Sequence, residues 1–93
     1  MEEKFQLLEQ QSEFLKAMAN PIRLCILKGM MEKGECNGNE MQECLKMPQS
    51  TISQNMNKLK NVGIIAGRRE GNEIHYRVVD EKAKKIIEIL NQE

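Results

Sequence analysis

Aromatic residues, histidine and proline are scarce in this chain of 93 residues. It has no tryptophan, one tyrosine, two phenylalanines, one histidine and two prolines. We therefore expect a hydrophobic core of Ile, Leu, Val and the seven methionines. A single histidine, with no glycine-rich phosphate loop and no carboxylates paired beside a nucleophile, offers no set of groups that could form an active site. The sequence predicts that the protein is not an enzyme.

The sequence also lacks a disulfide pattern and any long apolar run. The three cysteines, Cys25, Cys36 and Cys44, are an odd number at irregular spacing, which favours reduced thiols. The chain contains no C-x-x-C motif, the usual sign of a thiol oxidoreductase. Its apolar runs are too short to span a membrane, and the N-terminal sequence MEEKFQLLEQQ is too acidic for a signal peptide. We expect a cytoplasmic protein without a membrane segment.

Acidic residues are missing from one long segment, although the formal net charge of the chain is zero. Between Leu45 and Arg69 there is no Asp or Glu, and the basic residues there are Lys46, Lys58, Lys60, Arg68 and Arg69. The local field, and not the net charge, decides whether a surface attracts an anion. The segment is therefore either a surface that binds a polyanion or a solvated helix that lacks acids by chance.

Periodicity and helix-breaking residues predict four helices, a β-hairpin and a fifth helix. Asn20-Pro21 is a start signal, because Asn is a preferred N-cap and Pro is favoured at the first helical position. Gly34 is a stop signal, and Asn37 and Asn39 are alternative N-caps for the short helix that precedes Pro48. The helices are predicted at residues 2–18, 21–33, 39–46, 48–61 and 81–92.

The hairpin is predicted in the segment IIAGRREGNEIHYRVV. Two runs rich in Ile, Val and Tyr flank Gly71-Asn72, a pair that suits a two-residue hairpin loop. Pairing around this loop places Arg69 opposite Ile74 and Arg68 opposite His75. Asp80 then follows as the N-cap of the last helix.

The fourth predicted helix is unusual because its outer face is polar but almost uncharged. At about 100° per residue, Ile52, Met56 and Leu59 form one inward stripe. The opposite face carries Ser, Gln and Asn, which is unexpected because Ser and Asn are poor helix formers and a surface helix usually carries Glu and Lys. Gln and Asn can bind adenine edges in the major groove of DNA, and Ser and Thr can contact bases or phosphates. The alternative is a mildly unfavourable surface helix without a ligand.

Residues 39–61 have the two helices and short turn of a helix-turn-helix motif, and the hairpin behind them would form a wing. In such motifs the N-terminal part of the second helix reaches the bases. Arg68 and Arg69 are expected to add general affinity and not sequence choice. The predicted DNA contacts are Gln49, Ser50, Thr51, Ser53, Gln54, Asn57, Lys58, Arg68 and Arg69.

Three segments, in order, resemble the ArsR/SmtB family of bacterial winged-helix repressors. They are LKAMANPIRLCIL, MPQSTISQNMNKLKNVGII and GRREGNEIHYRVVD, and the resemblance covers about residues 14–90. It implies a single winged helix-turn-helix domain over residues 1–93, mainly α with a small β-hairpin. It also implies a homodimer built from residues 1–18 and 80–93 that binds an imperfectly palindromic DNA operator and represses transcription. Where the family often has His, this chain has Asn55, on the inward flank of its helix.

The resemblance also raises the question of a releasing signal, since family members often leave DNA when a metal or a reactive sulfur or oxygen species binds. The last helix has Asp80 but no His or Cys, so the family's metal site and its dithiol pair on that helix are absent. Cys36 and Cys44 are the candidate sensing thiols. They are expected on the order of 10 Å apart, beyond the reach of a disulfide without rearrangement.

Two further expectations concern the other cysteine and the histidine. Cys25, among apolar neighbours, is expected to be a small core residue, and His75 to be solvated or near a phosphate. No cofactor is required, and a regulatory metal or thiol modification stays open. The alternative to a DNA-binding repressor is a winged-helix module that binds another protein.

Overall fold

The computed structural model describes residues 2–92, so Met1 and Glu93, the ends of the expected domain and of its two terminal helices, lie outside the described residues. The order of elements along the chain agrees with the predicted winged helix-turn-helix, with one short strand added. The elements are α1 (Glu2–Met18), α2 (Pro21–Lys33), β1 (Cys36–Asn37), α3 (Gly38–Leu45), α4 (Gln49–Asn61), β2 (Ile65–Glu70), β3 (Glu73–Val78) and α5 (Glu81–Leu90).

Side-chain caps begin three of the helices. The carboxamide oxygen of Asn20 accepts hydrogen bonds from the backbone N–H groups of Ile22 and Arg23, and Pro21 occupies the first turn of α2. Asn37, and not Asn39, caps α3, in a capping box in which Glu40 accepts from the backbone N–H of Asn37 at 3.0 Å. Asp80 accepts from the first turn of α5 at 2.9 Å, as the sequence predicted.

The sheet has three antiparallel strands in the order β1-β3-β2. The predicted hairpin register is confirmed, since Arg69 pairs with Ile74 and Arg68 with His75. Gly71 turns the hairpin at φ 63°, a conformation that favours glycine. The sequence analysis missed β1, because a strand of two residues is too short to show a period.

Arg68 and Arg69 of the hairpin lie on opposite sides of the sheet. Directly paired residues of an antiparallel ladder share a side, and neighbours along a strand alternate. Arg69 therefore lies on the side of Ile74 and Tyr76, where a Cβ added to Gly67 would come within 2.8 Å of the Cγ2 atom of Ile74. Arg68 lies on the other side, with His75. We call residues 65–78 the wing, and the side that carries Tyr76 its inner side.

The core consists of aliphatic side chains and methionine, as expected from the scarcity of aromatic residues. It joins α2, α4, α5 and the inner side of the sheet. Its largest fully buried side chains are Leu27, Met30, Leu59, Ile64 and Ile87.

One core prediction was wrong. Cys25 on α2 was expected to be a small core residue, but it is exposed. Only a single stripe of α2 is buried, formed by Arg23, Ile26, Leu27 and Met30. Cys25 lies about 150° away from the centre of that stripe at 100° per residue. Apolar neighbours along the sequence do not bury a residue whose direction points away from the core.

Candidate nucleic-acid interface

Helix α4 presents its polar residues to solvent and its apolar stripe to the core. Ile52, Met56 and Leu59 are buried, in agreement with the predicted inward stripe. Most of the predicted contact residues of α4 are exposed, whereas Thr51 is half-buried. The exposed ones are Gln49, Ser50, Ser53, Gln54, Asn57 and Lys58. The side chains that hold the helix and the side chains available to a ligand are thus separate sets.

The polar face of α4 borders a groove of about 290 Å³ that is closed on its far side by the wing. Gln49, Ser53 and Asn57 line it from α4, while Ile74 and Tyr76 line it from the inner side of the wing. The start of α3 forms its end, and the carboxamide nitrogen of Asn37 donates to Glu73 of the wing at 2.8 Å. The fold therefore places the neutral hydrogen-bonding face and the wing on one concave surface.

Arg68 and Arg69 of the wing differ in their partners. Arg68 donates to Glu35 at 2.7 Å and to Glu70 at 2.9 Å. The guanidinium of Arg68, through its hydrogen bond and its charge, lowers the pKa of the Glu70 carboxyl, and the two carboxylates raise the pKa of Arg68. Arg69 forms no ion pair with any residue between Glu2 and Gln92. Of Arg68 and Arg69, only Arg69 therefore offers a cation that residues 2–92 leave unneutralised.

His75 lies within the same acidic cluster on the outer side of the wing. Its Nδ1 atom is 3.8 Å from Glu35 and its Nε2 atom is 3.7 Å from Glu70. The side chain is 19% exposed, so it is less solvated than expected. Its neighbours are carboxylates, which would repel a phosphate; His75 is not a candidate phosphate contact.

Asn55, the position that departs from the family pattern, lies inside the protein. It is 9% exposed, its oxygen accepts from the Nη1 atom of Arg23 at 2.7 Å, and its nitrogen donates to the carbonyl of Thr51 at 2.8 Å. The inward direction predicted for Asn55 is confirmed. Its partner Arg23 was missed, because a single arginine in an apolar helix gives no sequence signal of burial.

The three cysteines line one groove of about 490 Å³ between α2 and α3. Cys36 is buried, whereas Cys25 and Cys44 are exposed. Burial, and then the carboxylate of Glu40, raises the pKa of the Cys36 thiol, so this thiol is protonated at neutral pH. Within the described part of the chain, no three His, Cys, Asp or Glu side chains are grouped so that they could hold a metal ion. The proximity of the thiols does not amount to a metal site.

Comparisons with known proteins agree with this geometry. Residues 20–66 match the family described as "Bacterial regulatory protein, arsR family". The chain is 39% identical over 84 residues to an uncharacterized HTH-type transcriptional regulator of Methanocaldococcus jannaschii, covering 90% of this chain and 94% of that protein. It is 37% identical over 84 residues to the transcriptional repressor PagR of Bacillus anthracis, covering 90% and 84% respectively.

Solved structures give the same result. The crystal structure of PagR matches with a TM-score of 0.84 and 36% identity, covering 94% of this chain and 99% of that one. NolR from Sinorhizobium fredii matches with a TM-score of 0.87 and 32% identity, covering 97% and 89%. Among residues 2–92 of this chain, no helix has both the length and the apolar character needed to cross a membrane.

Proposed function

The chain belongs to the ArsR family of bacterial regulatory proteins, and from that premise we propose that it represses transcription as a homodimer on an imperfectly palindromic DNA operator. The observation that carries this proposal is the exposed, acid-free polar face of α4, which opens onto the groove beside the wing. The proposal assigns no enzymatic reaction and places the protein in the cytoplasm, with its DNA. The relatives named above are transcriptional regulators, so a module that binds only proteins is not favoured.

Base recognition is assigned to the exposed polar side chains in the first half of α4. Gln and Asn can donate to and accept from one adenine edge, and Ser can contact bases or phosphates. Thr51 contributes less, because it is half-buried and its carbonyl already accepts from Asn55. The proposed base contacts are Gln49, Ser50, Ser53, Gln54 and Asn57, with Thr51 as a minor one.

Phosphate contacts are assigned to Lys58 and Arg69, which are exposed. Arg69 has no carboxylate partner among residues 2–92. Arg68 could contribute only by leaving Glu35 and Glu70, so its role is secondary. This division refines the expectation that both arginines hold DNA.

The homodimer is assigned to the terminal helices, expected from residues 1–18 and 80–93. Helix α1 exposes Phe5, Leu7, Leu8 and Leu15, each at least 53% exposed, and α5 exposes Ile89 and Leu90. Several large apolar side chains exposed on one helix are typical of an interface. Within the described monomer, only the last two residues of α1 are buried, so the rest of this long helix is available to a partner.

A thiol-reactive or metal signal at Cys36 and Cys44 would have to begin at the exposed Cys44. The two thiols line the same groove, which supports a joint role, but Cys36 is buried and protonated. A thiolate, and not a thiol, is the nucleophile and the metal ligand. Cys44 is therefore the proposed first site of any such modification.

Two substitutions on α4 test the proposed function. Duplexes enriched by the wild-type protein from a random DNA library serve as the specific ligand, and unenriched duplexes as the non-specific one. Gln54→Ala should cost about 1–3 kcal/mol on enriched DNA and little on random DNA. Lys58→Ala should weaken both and reduce the slope of log K against log salt by about 1.

Lys28→Ala is the matched control for lost charge, because Lys28 is exposed on α2 and is not part of the α4 face. It should leave both affinities unchanged. Salt-independent binding, or equal losses on both DNAs for Gln54→Ala, would contradict the assignment.

A further inference from the structure

Arg23 is a buried cation without a carboxylate. Arg23 is 8% exposed, and no acidic side chain between residues 2 and 92 forms an ion pair with it. Instead, its guanidinium donates to three oxygens: the backbone carbonyl of Ala17 through Nε, the backbone carbonyl of Lys16 through Nη2 at 3.4 Å, and the side chain of Asn55 through Nη1 at 2.7 Å. A buried charge costs free energy unless it is hydrogen-bonded, so the three acceptor oxygens must stay in place while Arg23 is buried.

Two of these oxygens belong to the last turn of α1. The final carbonyls of a helix have no N–H partner within the helix, and they form the negative end of the helix dipole. Arg23, which lies on α2, fills this position with a positive charge and with fixed N–H donors. The end of α1 is therefore held to the start of α2 by these hydrogen bonds as well as by the covalent chain.

The third oxygen belongs to α4. Asn55 accepts from Arg23 with its oxygen, while its nitrogen donates to Thr51 one turn earlier, so both ends of the carboxamide are held. Neither Arg23 nor Asn55 leaves a buried side-chain polar atom without a partner. The hydrogen bonds form a continuous link from the last turn of α1 to the middle of the recognition helix.

This link is directional, unlike the apolar packing around it. Apolar contacts tolerate small rotations and slides of a helix, whereas the planar guanidinium has only one fork geometry. A rotation of α4 about its axis would lengthen the 2.7 Å bond and leave a buried charge with one acceptor fewer. Fixing a register is the best-attested role of such buried polar groups.

We propose that Arg23 and Asn55 are positioning residues that set the orientation of α4 relative to α1, and thereby the spacing of the two operator half-sites that the dimer accepts. The inference rests on the proposed function, because α1 is there assigned to the dimer interface and α4 to the bases. Neither residue touches DNA in this assignment. Each acts through the placement of side chains such as Gln54, its neighbour on the outer face.

The test uses half-site spacing, which a role in stability alone would not change. From the half-sites enriched by the wild-type protein, duplexes are made with the natural spacing, with one base pair inserted, with one removed, and with a single half-site. One base pair rotates a half-site by about 35° and moves it by about 3.4 Å. The wild type should prefer its own spacing by about tenfold or more.

Arg23→Met and Asn55→Leu should each lose most of this preference while binding the single half-site as the wild type does. The double variant should lose no more than either single variant, because the two residues form one link. Lys28→Met, which also replaces a cation with Met but at an exposed position of α2, is the control and should keep the preference. Arg23→Lys retains the charge but not the fork, and carries the test where Arg23→Met does not fold.

Folded variants that keep the wild-type spacing preference would overturn the inference and leave the proposed function standing. An equal loss on all duplexes, including the single half-site, would also overturn it, since that is the result of a lower folded fraction. Failure of the wild type to enrich any DNA would overturn the proposed function, and this inference with it.

Discussion

The three cysteines show how the local environment makes identical side chains differ in exposure and reactivity. Cys36 is 5% exposed in β1, where burial raises the pKa of its thiol and the carboxylate of Glu40 raises that pKa further. Cys25 and Cys44 are exposed on the helices beside the same groove. A raised thiol pKa in the folded state favours the protonated form. Stability is therefore unaffected below the ordinary thiol range and falls as the pH rises above it.

We expect two fast thiols and one slow thiol in the native protein. An alkylating reagent at neutral pH should modify Cys25 and Cys44 first, because attack requires an exposed thiolate. Cys36 should react only slowly, and faster at alkaline pH or after unfolding. Mass spectrometry of digests taken over time would measure this order. In the Cys36→Ala variant the slow phase should vanish and the two fast phases remain; rapid labelling of Cys36 in the folded protein would contradict the burial argument.

At the scale of the element, the wing divides its charges between its two sides. Arg69 lies on the inner side toward the groove, and Arg68 lies on the outer side between Glu35 and Glu70. Arg68 lowers the pKa of Glu70, so the outer pair persists above the ordinary carboxylate range and is lost as the pH falls through the lowered pKa. These groups are exposed, so the pair adds little to stability. Its effect is to keep Arg68 occupied at neutral pH.

Substitutions of Arg68 and Arg69 should therefore have unequal effects on DNA binding. Arg69→Ala should reduce the slope of log K against log salt by about 1, the signature of one lost phosphate contact. Arg68→Ala should change the slope less, because its charge is already neutralised within the protein. Filter binding over a range of salt concentrations would measure both.

Glu35→Gln combined with Glu70→Gln is the complementary variant, since it frees Arg68 and should raise affinity for any duplex. Equal effects of Arg68→Ala and Arg69→Ala would show that the outer carboxylates do not hold Arg68 when DNA is bound.

At the scale of the whole molecule, α1 and α5 leave large apolar side chains in contact with solvent in the monomer. Phe5 is 60% exposed and Ile89 64%. A chain of this length buries a limited share of its surface, so the proposed dimer would bury apolar surface that the monomer leaves exposed.

Leu8→Lys should convert the protein from dimer to monomer in sedimentation experiments at micromolar concentration, because it buries a charge in the proposed interface. Binding to a full operator should fall, while binding to a single half-site should persist. Gln6→Lys adds the same charge to the opposite side of α1, about 170° from the centre of the apolar stripe, and should remain dimeric. A monomeric wild-type protein, or a dimeric Leu8→Lys variant, would exclude this interface.

Much of the fold could be predicted because its signals are local. Asn20-Pro21, Asp80 and Gly71-Asn72 mark boundaries through backbone conformations and hydrogen bonds within a few residues, and all three act as predicted. The stripe of Ile52, Met56 and Leu59 follows from helical geometry alone. The same geometry assigns the outer face of α4, since polar residues opposite a buried stripe must face solvent.

Contacts between distant segments could not be predicted. The strand β1, the exposure of Cys25 and the neutralisation of Arg68 by Glu35 depend on which elements meet. No periodicity in a single sequence carries that information. The tie between Arg23 and Asn55 is of the same kind, because its partners come together only when α1, α2 and α4 pack.

The sequence by itself determined the helices, the hairpin register and the polar face of α4, since each depends on residues within a few turns of one another. Only the tertiary structure decided that Arg68, and not Arg69, is held by carboxylates, and what holds Asn55 in place. Ion pairs and buried hydrogen bonds act over distances of about 3 Å. The packing of the whole chain brings Arg23 to Asn55, which is 32 positions away, and Glu35 to Arg68, which is 33 positions away, within that distance.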